Sequence, residues 1–376
     1  MAHQVVIVGG GVHGSCIAAN LIKSGIDDIL ILDKQPCLSN WMKLTGQMGM
    51  TELRSSNLGH IAPIGDDGPI VQDTTQPLNL SIFNKHSKSV LDKYGLEDLR
   101  MPIKATGMVY NSKSKTFTIS TSGHNKGIQT HYLIYAIGLG EPFWGQCMGP
   151  PTRRVIHAEE FNVNSHNISG NICIIGGGES GAKIALELNK YKEIKTIDIC
   201  SKKLPCVMQL ETDAKYLPEQ DWHVKFLRQP KDIKVAQLAY ARSSKPITPK
   251  TLKSVLELPK IAFIHEDIKK WELVQNRKKI RLNPSMPDYD YVIVCAGWRP
   301  LPMNSPEMTN LFGKVSTYQN RILMNWDYSV KHREVPAGKL FVSGILAEMT
   351  GGPFSRNVIG ARHSAKVITE TLLSTK

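Results

Sequence analysis

One local pattern occurs twice in this chain and limits its fold more than any other feature. Gln4 to Val8 reads as a short buried strand, followed by Gly9-Gly10-Gly11-Val12-His13-Gly14, an apolar-periodic helix through Ile22, and a second strand, Ile29 to Leu32, that ends in Asp33. Further on, the strand Ile172 to Ile175 runs into Gly176-Gly177-Gly178-Glu179-Ser180-Gly181, a helix over Ala182 to Leu188, and the strand Thr196 to Cys200. Each has the parts of a dinucleotide-binding βαβ unit. The first glycine permits a tight turn, the second lets backbone approach a pyrophosphate, and the third lets helix pack on strand. The helix start then offers unpaired N–H groups and a positive dipole end to the phosphates. Gly9, Gly11 and Gly14 fill these places in the first unit, and Gly176, Gly178 and Gly181 in the second, with Ser180 beside them.

The two units end differently. Asp33, 19 positions after Gly14 and followed by Lys34, supplies a carboxylate to a ribose hydroxyl. The second unit ends in Cys200-Ser201-Lys202-Lys203 instead. An acid there would repel a ribose 2′-phosphate, whereas Ser201 and Lys202 offer it a donor and positive charge, so this unit is predicted to prefer NADPH to NADH. Two further strands, His131 to Ala136 before Gly138 and Tyr291 to Cys295 before Gly297, should return the chain toward a cofactor crevice. A last strand, Lys339 to Val342, precedes Ser343-Gly344, a glycine-rich stretch with Gly351, Gly352 and Asn357, and a closing helix from about Ile359 to Leu373. The dipole of that helix could face a carbonyl or an anionic ring.

Composition narrows the class. With 376 residues, 41% of them hydrophobic and 21% charged, the chain can bury a sizeable core and is unlike disordered sequences. Its apolar runs are far shorter than the roughly 18 residues of a membrane helix, and no secretory leader pattern is seen, which gives a cytoplasmic expectation. Seven dispersed cysteines include no C-x-x-C pair, so disulfide frameworks, zinc ribbons and dithiol reductases lose support, and no metal site is expected. The net charge of +13 favours anionic partners, but the basic residues are scattered and lack an aromatic-interleaved pattern, so no nucleic acid partner is expected.

The order of these elements resembles the two-dinucleotide-binding-domain flavoproteins, over nearly the whole chain. That resemblance implies an α/β fold with two Rossmann-like domains: an FAD domain from residues 1–167 and 301–376, and an inserted NADPH domain over 168–300. It also implies that Gly9, Gly11, Gly14 and Asp33 hold FAD. Within this superfamily the sequence is most similar to the N-hydroxylating flavin monooxygenases of the lysine and ornithine hydroxylase type. Arg154 to Phe161 resembles their linker motif, with His157 four residues before Phe161. Asp290 to Trp298 resembles their D-x-x-x-L-A-T-G-Y segment. Trp41, Gln47 to Met50 and Leu53-Arg54 resemble the stretch beside the flavin ring, with a basic residue near Arg54. Two departures stand out: many relatives have Gly-Asp where this chain has Gly344-Ile345, with Glu348 as a possible substitute, and no substrate insertion can be mapped within Pro205 to Leu258.

The function implied is oxygenation of an amine nitrogen or similar soft nucleophile through a C4a-hydroperoxyflavin, with a small-molecule substrate and molecular oxygen as partners. An NADPH-dependent reductase passing electrons to an acceptor protein is the first alternative, and an FAD-binding sensor without turnover the second. The cofactor does the chemistry, so no catalytic triad is expected. Arg54 is the candidate catalytic helper, binding an anionic substrate or NADP, against a surface ion pair. Trp41 either walls the flavin or packs in the core. His157 either bonds across the hinge or is structural, Met48 and Met50 pack as one face of a strand, and Cys16 is buried or a stabilised thiolate.

Overall fold

The computed structural model describes residues 2–375 apart from 56–58, 64, 66–69, 71–76, 139, 146–148, 150–151, 163–166, 204, 209–221 and 244–245. Two sheets carry the two glycine turns, the first mixed and the second parallel. The first has the strand order Arg100–Met101, Ile29–Leu32, His3–Val8 and His124–Tyr135, with Val5 opposite both Ile29 and Tyr132. The long strand His124–Tyr135 shares its other edge between two partners. Its first half pairs antiparallel with the hairpin Ala105–Asn111 and Thr116–Thr121, and Leu133 to Tyr135 pair parallel with Leu340–Val342. The end of the chain thus returns to the first sheet, and its closing helix, Val358–Ser374, packs on the helix Val12–Lys23 that follows the first turn.

The second sheet is ordered Val155–His157, Tyr291–Val294, Gly170–Ile175, Ile194–Cys200 and Ile261–Ile264, all parallel. The parallel strands that carry the turns are buried on both faces, which is why they read as unbroken Val/Ile runs rather than alternating ones. Val5, Val6, Ile7, Ile172 and Ile174 are fully buried, each contributing roughly 1.5–3 kcal/mol of apolar burial. Tyr289 is buried beside this sheet, and its hydroxyl donates to Asp198 Oδ2 at 2.6 Å. Tyr289→Phe should lower stability by about 1–3 kcal/mol, read from denaturant midpoints, because it strips a partner from that carboxylate. An unchanged midpoint would contradict this.

The crossings between the sheets are joined to one another. Glu141–Pro142 pairs antiparallel with Trp298–Arg299, and Arg299 forms an ion pair with Glu141. His157 is fully buried, with Nε2 bonded to the Gly297 carbonyl at 3.1 Å and Nδ1 accepting from the Glu159 N–H. His157 therefore ties the end of its strand to the turn that follows the adjacent strand Tyr291–Val294 of the same sheet. Trp298 meets it edge to face at 5.6 Å.

The reading of Met48 and Met50 as one strand face is corrected. Ser39–Gln47 is a helix, Met48 is its C-cap, and Gly49, at φ +60°, breaks any extended run between the two. The i, i+2 spacing suggested a strand, but Leu44, Thr45 and Met48 follow the helical period and all three are buried.

The unmapped stretch from Pro205 to Leu258 partly lies outside the described residues. Its remainder includes the helices Trp222–Arg228 and Lys231–Ser243, which pack on the C-terminal segment Glu348–Arg356 through a small core of Phe226, Leu238 and Met349. Beside this core, the rings of His223 and His363 lie 4.0 Å apart, and Tyr328 hydrogen-bonds His363 Nδ1 at 3.0 Å. Burial pushes His223 down to about 4 and His363 to about 3. Unfolded imidazoles titrate near 6.5, so below that pH the unfolded chain takes up protons first. Stability is then full above about pH 7 and lost as pH falls through 6.5 toward 4. At pH 5 each ring should cost up to about 2 kcal/mol, measured as a urea midpoint lower than at pH 7.5, and His363→Asn should narrow that difference by its own share. Equal wild-type midpoints at the two pH values would contradict it.

Candidate functional site

The first turn is built by close backbone contacts. Gly9 has φ +108°, and a Cβ on it would stand 2.3 Å from the Ala136 carbonyl oxygen; one on Gly14 would stand 1.8 Å from the Gly9 oxygen. These glycines let the turn seat against the neighbouring strand end and its own helix. Gly11, by contrast, faces open space and is the N-cap of Val12–Lys23, with no side chain capping the helix start. Its N–H groups are left for a ligand. The Asp33 carboxylate accepts from Gly10 N at 2.7 Å and from Gln35 N at 3.0 Å, which fixes it at the strand end with lone pairs to spare.

A cavity of about 350 Å³ opens here, lined by Gly9, Gly11, Asp33, Lys34 and Gly138. Gly138 has φ +86° and open space where a side chain would be. The sequence reading missed the rest of the lining, including Asn40, Lys104, Glu307, Met308, Ile345 and Leu346. Lys104 and Glu307 form an ion pair at 2.8 Å across this cavity. No short motif joins residues so far apart in the chain, so nothing in the sequence pointed to them.

The second turn repeats the construction. Gly176 has φ +128°, with a would-be Cβ 2.4 Å from the Cys295 oxygen, and one on Gly181 would be 2.2 Å from the Gly176 oxygen. Gly178 is the N-cap of the helix Glu179–Leu188, which starts three residues earlier than Ala182, with half-buried Ser180 in its first turn. Gly297 follows its strand at φ +86°, as Gly138 does in the first unit. Ser201 lies against Gly177 and its hydroxyl donates to the Lys203 carbonyl at 2.6 Å, while Lys202 is exposed beside it. Glu179, missed in the sequence, accepts from Thr248 N at 2.8 Å and from the Thr251 hydroxyl at 2.7 Å. It thereby ties the start of the helix Pro249–Leu256 to the glycine turn.

Gly344, at φ +83°, faces the ring of His13, while Gly352 has φ +63° and Asn357 is the N-cap of the closing helix without a side-chain cap bond. Trp41 packs on Phe83, with ring centres 5.3 Å apart, and donates to Asn84 Oδ1; its neighbour Asn40, rather than Trp41, lines the cavity. Arg54 is half-buried after the short strand Glu52–Leu53 and is not among the cavity residues. Cys16 is fully buried and burial pushes its thiol up to about 12, so the stabilised-thiolate reading is set aside. Glu348 is buried between Arg321, at 2.9 Å, and Arg356, at 3.6 Å, and does not line the cavity. Among the described residues no cluster of His, Cys, Asp and Glu could hold a metal, and no helix is long and apolar enough to cross a membrane.

The fold matches solved structures over its full length. The ornithine N-hydroxylase of Kutzneria sp. 744, solved with reduced FAD, NADP+ and L-ornithine, superposes with a TM-score of 0.81 at 13% identity, covering 100% of both chains. The cadaverine monooxygenase of Erwinia amylovora, solved with FAD, gives 0.80 at 13% identity over 100% of this chain and 95% of that one. The bacillithiol disulfide reductase of Bacillus cereus gives 0.64 at 15% identity over 100% of both. At these identities the likeness is one of fold. A sequence comparison with curated proteins gives no match. Residues 6–205, which contain both glycine turns and Ser201-Lys202, match the family described as pyridine nucleotide-disulphide oxidoreductase, and the chain belongs to that family.

Proposed function

We propose that the chain is an FAD- and NADPH-dependent monooxygenase that oxygenates an amine nitrogen or a similarly soft nucleophile. The observation that carries this reading is the doubled glycine turn with unlike endings, a carboxylate after the first and Ser201-Lys202 after the second. Likeness of fold to the two N-hydroxylases, and a sequence without a C-x-x-C pair, support oxygenation over dithiol chemistry.

The residues of the first site fit FAD: open glycine faces at Gly11 and Gly138, a fixed Asp33 carboxylate and a cavity between them. In this reading Gly9, Gly11, Gly14, Asp33, Lys34, Gly138, Gly344, Gly352 and Asn357 form the FAD site. Gly176, Gly178, Ser180, Gly181, Ser201 and Lys202 form the NADPH site. The same assignment divides the chain into an FAD domain, 1–167 with 301–376, and an NADPH domain, 168–300, except that the strand Val155–His157 pairs into the second sheet. Bound flavin supplies the redox and oxygen chemistry. The chain contributes orientation: Asp33 accepts from a ribose hydroxyl, the Val12–Lys23 helix start binds pyrophosphate, and Arg54 holds an anionic group of substrate or nicotinamide nucleotide.

Aerobic turnover with a panel of primary amines tests the reaction. NADPH consumption matched by hydroxylated amine supports it; hydrogen peroxide equal to NADPH consumed for every amine contradicts oxygenation and favours electron transfer to another acceptor. Lys202→Ala should raise the KM for NADPH about tenfold and leave NADH nearly unchanged, since only NADPH carries the 2′-phosphate. Equal effects on both nucleotides would remove that assignment.

A further inference from the structure

The segment from Met48 to Leu53 belongs to both cores. Met48 is buried in the apolar cluster of the second sheet, with Leu188 and Val255, whereas Leu53 is buried in that of the first, and Met50 packs against both. At Gly49, with φ +60°, a Cβ would stand 2.7 Å from Glu187 Oε2, so the backbone there lies directly against the helix Glu179–Leu188. Glu52 and Leu53 then pair with Asn79 and Leu78, and the next residue is Arg54.

An ion pair joins this short strand to the second unit. Lys250, in the first turn of the helix Pro249–Leu256, places Nζ 2.6 Å from Glu52 Oε1. The start of that helix is itself held. Thr248 caps it, its Oγ1 accepting from Thr251 N at 3.2 Å and donating to Thr251 Oγ1 at 2.8 Å. The Thr251 hydroxyl donates in turn to Glu179 Oε1, and Thr248 N donates to Glu179 Oε2. Both threonines are buried, where water does not compete for these bonds. Glu179 is the first residue of the helix that Gly178 caps. A continuous run of contacts therefore leads from the second glycine turn, through Glu179 and the start of Pro249–Leu256, to Glu52, two residues before Arg54.

Lys250 is 72% exposed, so water screens its ion pair, which adds little to stability. Its effect on geometry is larger than its energy. A hydride leaves NADPH for oxidised flavin only when donor and acceptor atoms are in place, and a misplacement of about 1 Å can cost roughly a hundredfold. We propose that Lys250 and Glu52 are positioning residues for this transfer: their ion pair sets where the strand leading to Arg54, and with it the first unit, stands against the second turn. The inference rests on the assignment of FAD and NADPH to the two turns.

The test is anaerobic stopped-flow reduction of the FAD-loaded protein over a range of NADPH concentrations, with urea midpoints measured beside it. Lys250→Glu and Glu52→Lys each set like charges face to face. Each should slow the limiting rate of flavin reduction about tenfold, while the half-saturating NADPH concentration changes less than twofold and the midpoint stays put. The reversed pair, Lys250→Glu with Glu52→Lys, should return to within about threefold of wild type, a rescue that a loss of local packing would not give. Limiting rates unchanged in both single variants, a change confined to the half-saturating concentration, or a loss that the reversed pair does not regain overturns the proposal. A wild-type flavin that NADPH does not reduce overturns the cofactor assignment itself.

Discussion

Gly9→Ala should destabilise the chain by roughly 3–5 kcal/mol, while Gly11→Ala, two residues away, should leave apoprotein stability within about 0.5 kcal/mol and abolish tight FAD binding. The contrast comes from what each Cα faces. At Gly9 a methyl group meets the Ala136 backbone oxygen at 2.3 Å, and a φ of +108° is one that side chains disfavour. Neither backbone can give way without parting His3–Val8 from His124–Tyr135, which pair in register from His3 to Val8. At Gly11 the backbone is ordinary and the space is empty until a ligand enters it. Urea midpoints of the apoproteins together with FAD titrations separate the effects. A Gly11→Ala protein as unstable as Gly9→Ala would mean that Gly11 is structural and that the ligand lies elsewhere.

Gly178→Val should spare FAD and lower NADPH-driven turnover at least a hundredfold, about 2.7 kcal/mol. Gly178 is the N-cap of Glu179–Leu188 at φ −95° and ψ −174°, extended backbone that valine adopts readily, so the fold should survive. What valine adds is bulk at the helix start where the pyrophosphate must approach. Bound flavin measured by its absorbance, beside steady-state NADPH oxidation, decides it. Full activity in the variant would place the nicotinamide nucleotide away from this turn.

Much of the fold was legible because the strands of a covered parallel sheet are short apolar runs that end in glycine. Ile29–Leu32 appears as expected, and the closing helix is longer by one residue at each end. The turns were legible for a different reason: no side chain fits at Gly9, Gly14, Gly176 or Gly181, so local chemistry alone dictates glycine there. Residues that complete the cavity left no such trace. Lys104 and Glu307 meet only through tertiary packing, when the helix Pro306–Phe312 settles on the hairpin strand Ala105–Asn111. Trp41 shows the limit of motif likeness: its helical period places it on Phe83, and the side chain next to it reaches the cavity. Glu179 looked like an interchangeable residue inside a glycine motif, yet it holds a helix that begins about seventy residues further along.

If FAD binds at the first turn and NADPH at the second, as proposed, the two must lie close enough to exchange electrons. Anaerobic mixing of the FAD-loaded protein with NADPH, followed at the absorbance band of oxidised flavin, tests it most directly. The account predicts that the band bleaches rapidly with NADPH and more slowly with NADH at equal concentration. A flavin that binds but stays oxidised in the presence of NADPH would contradict it.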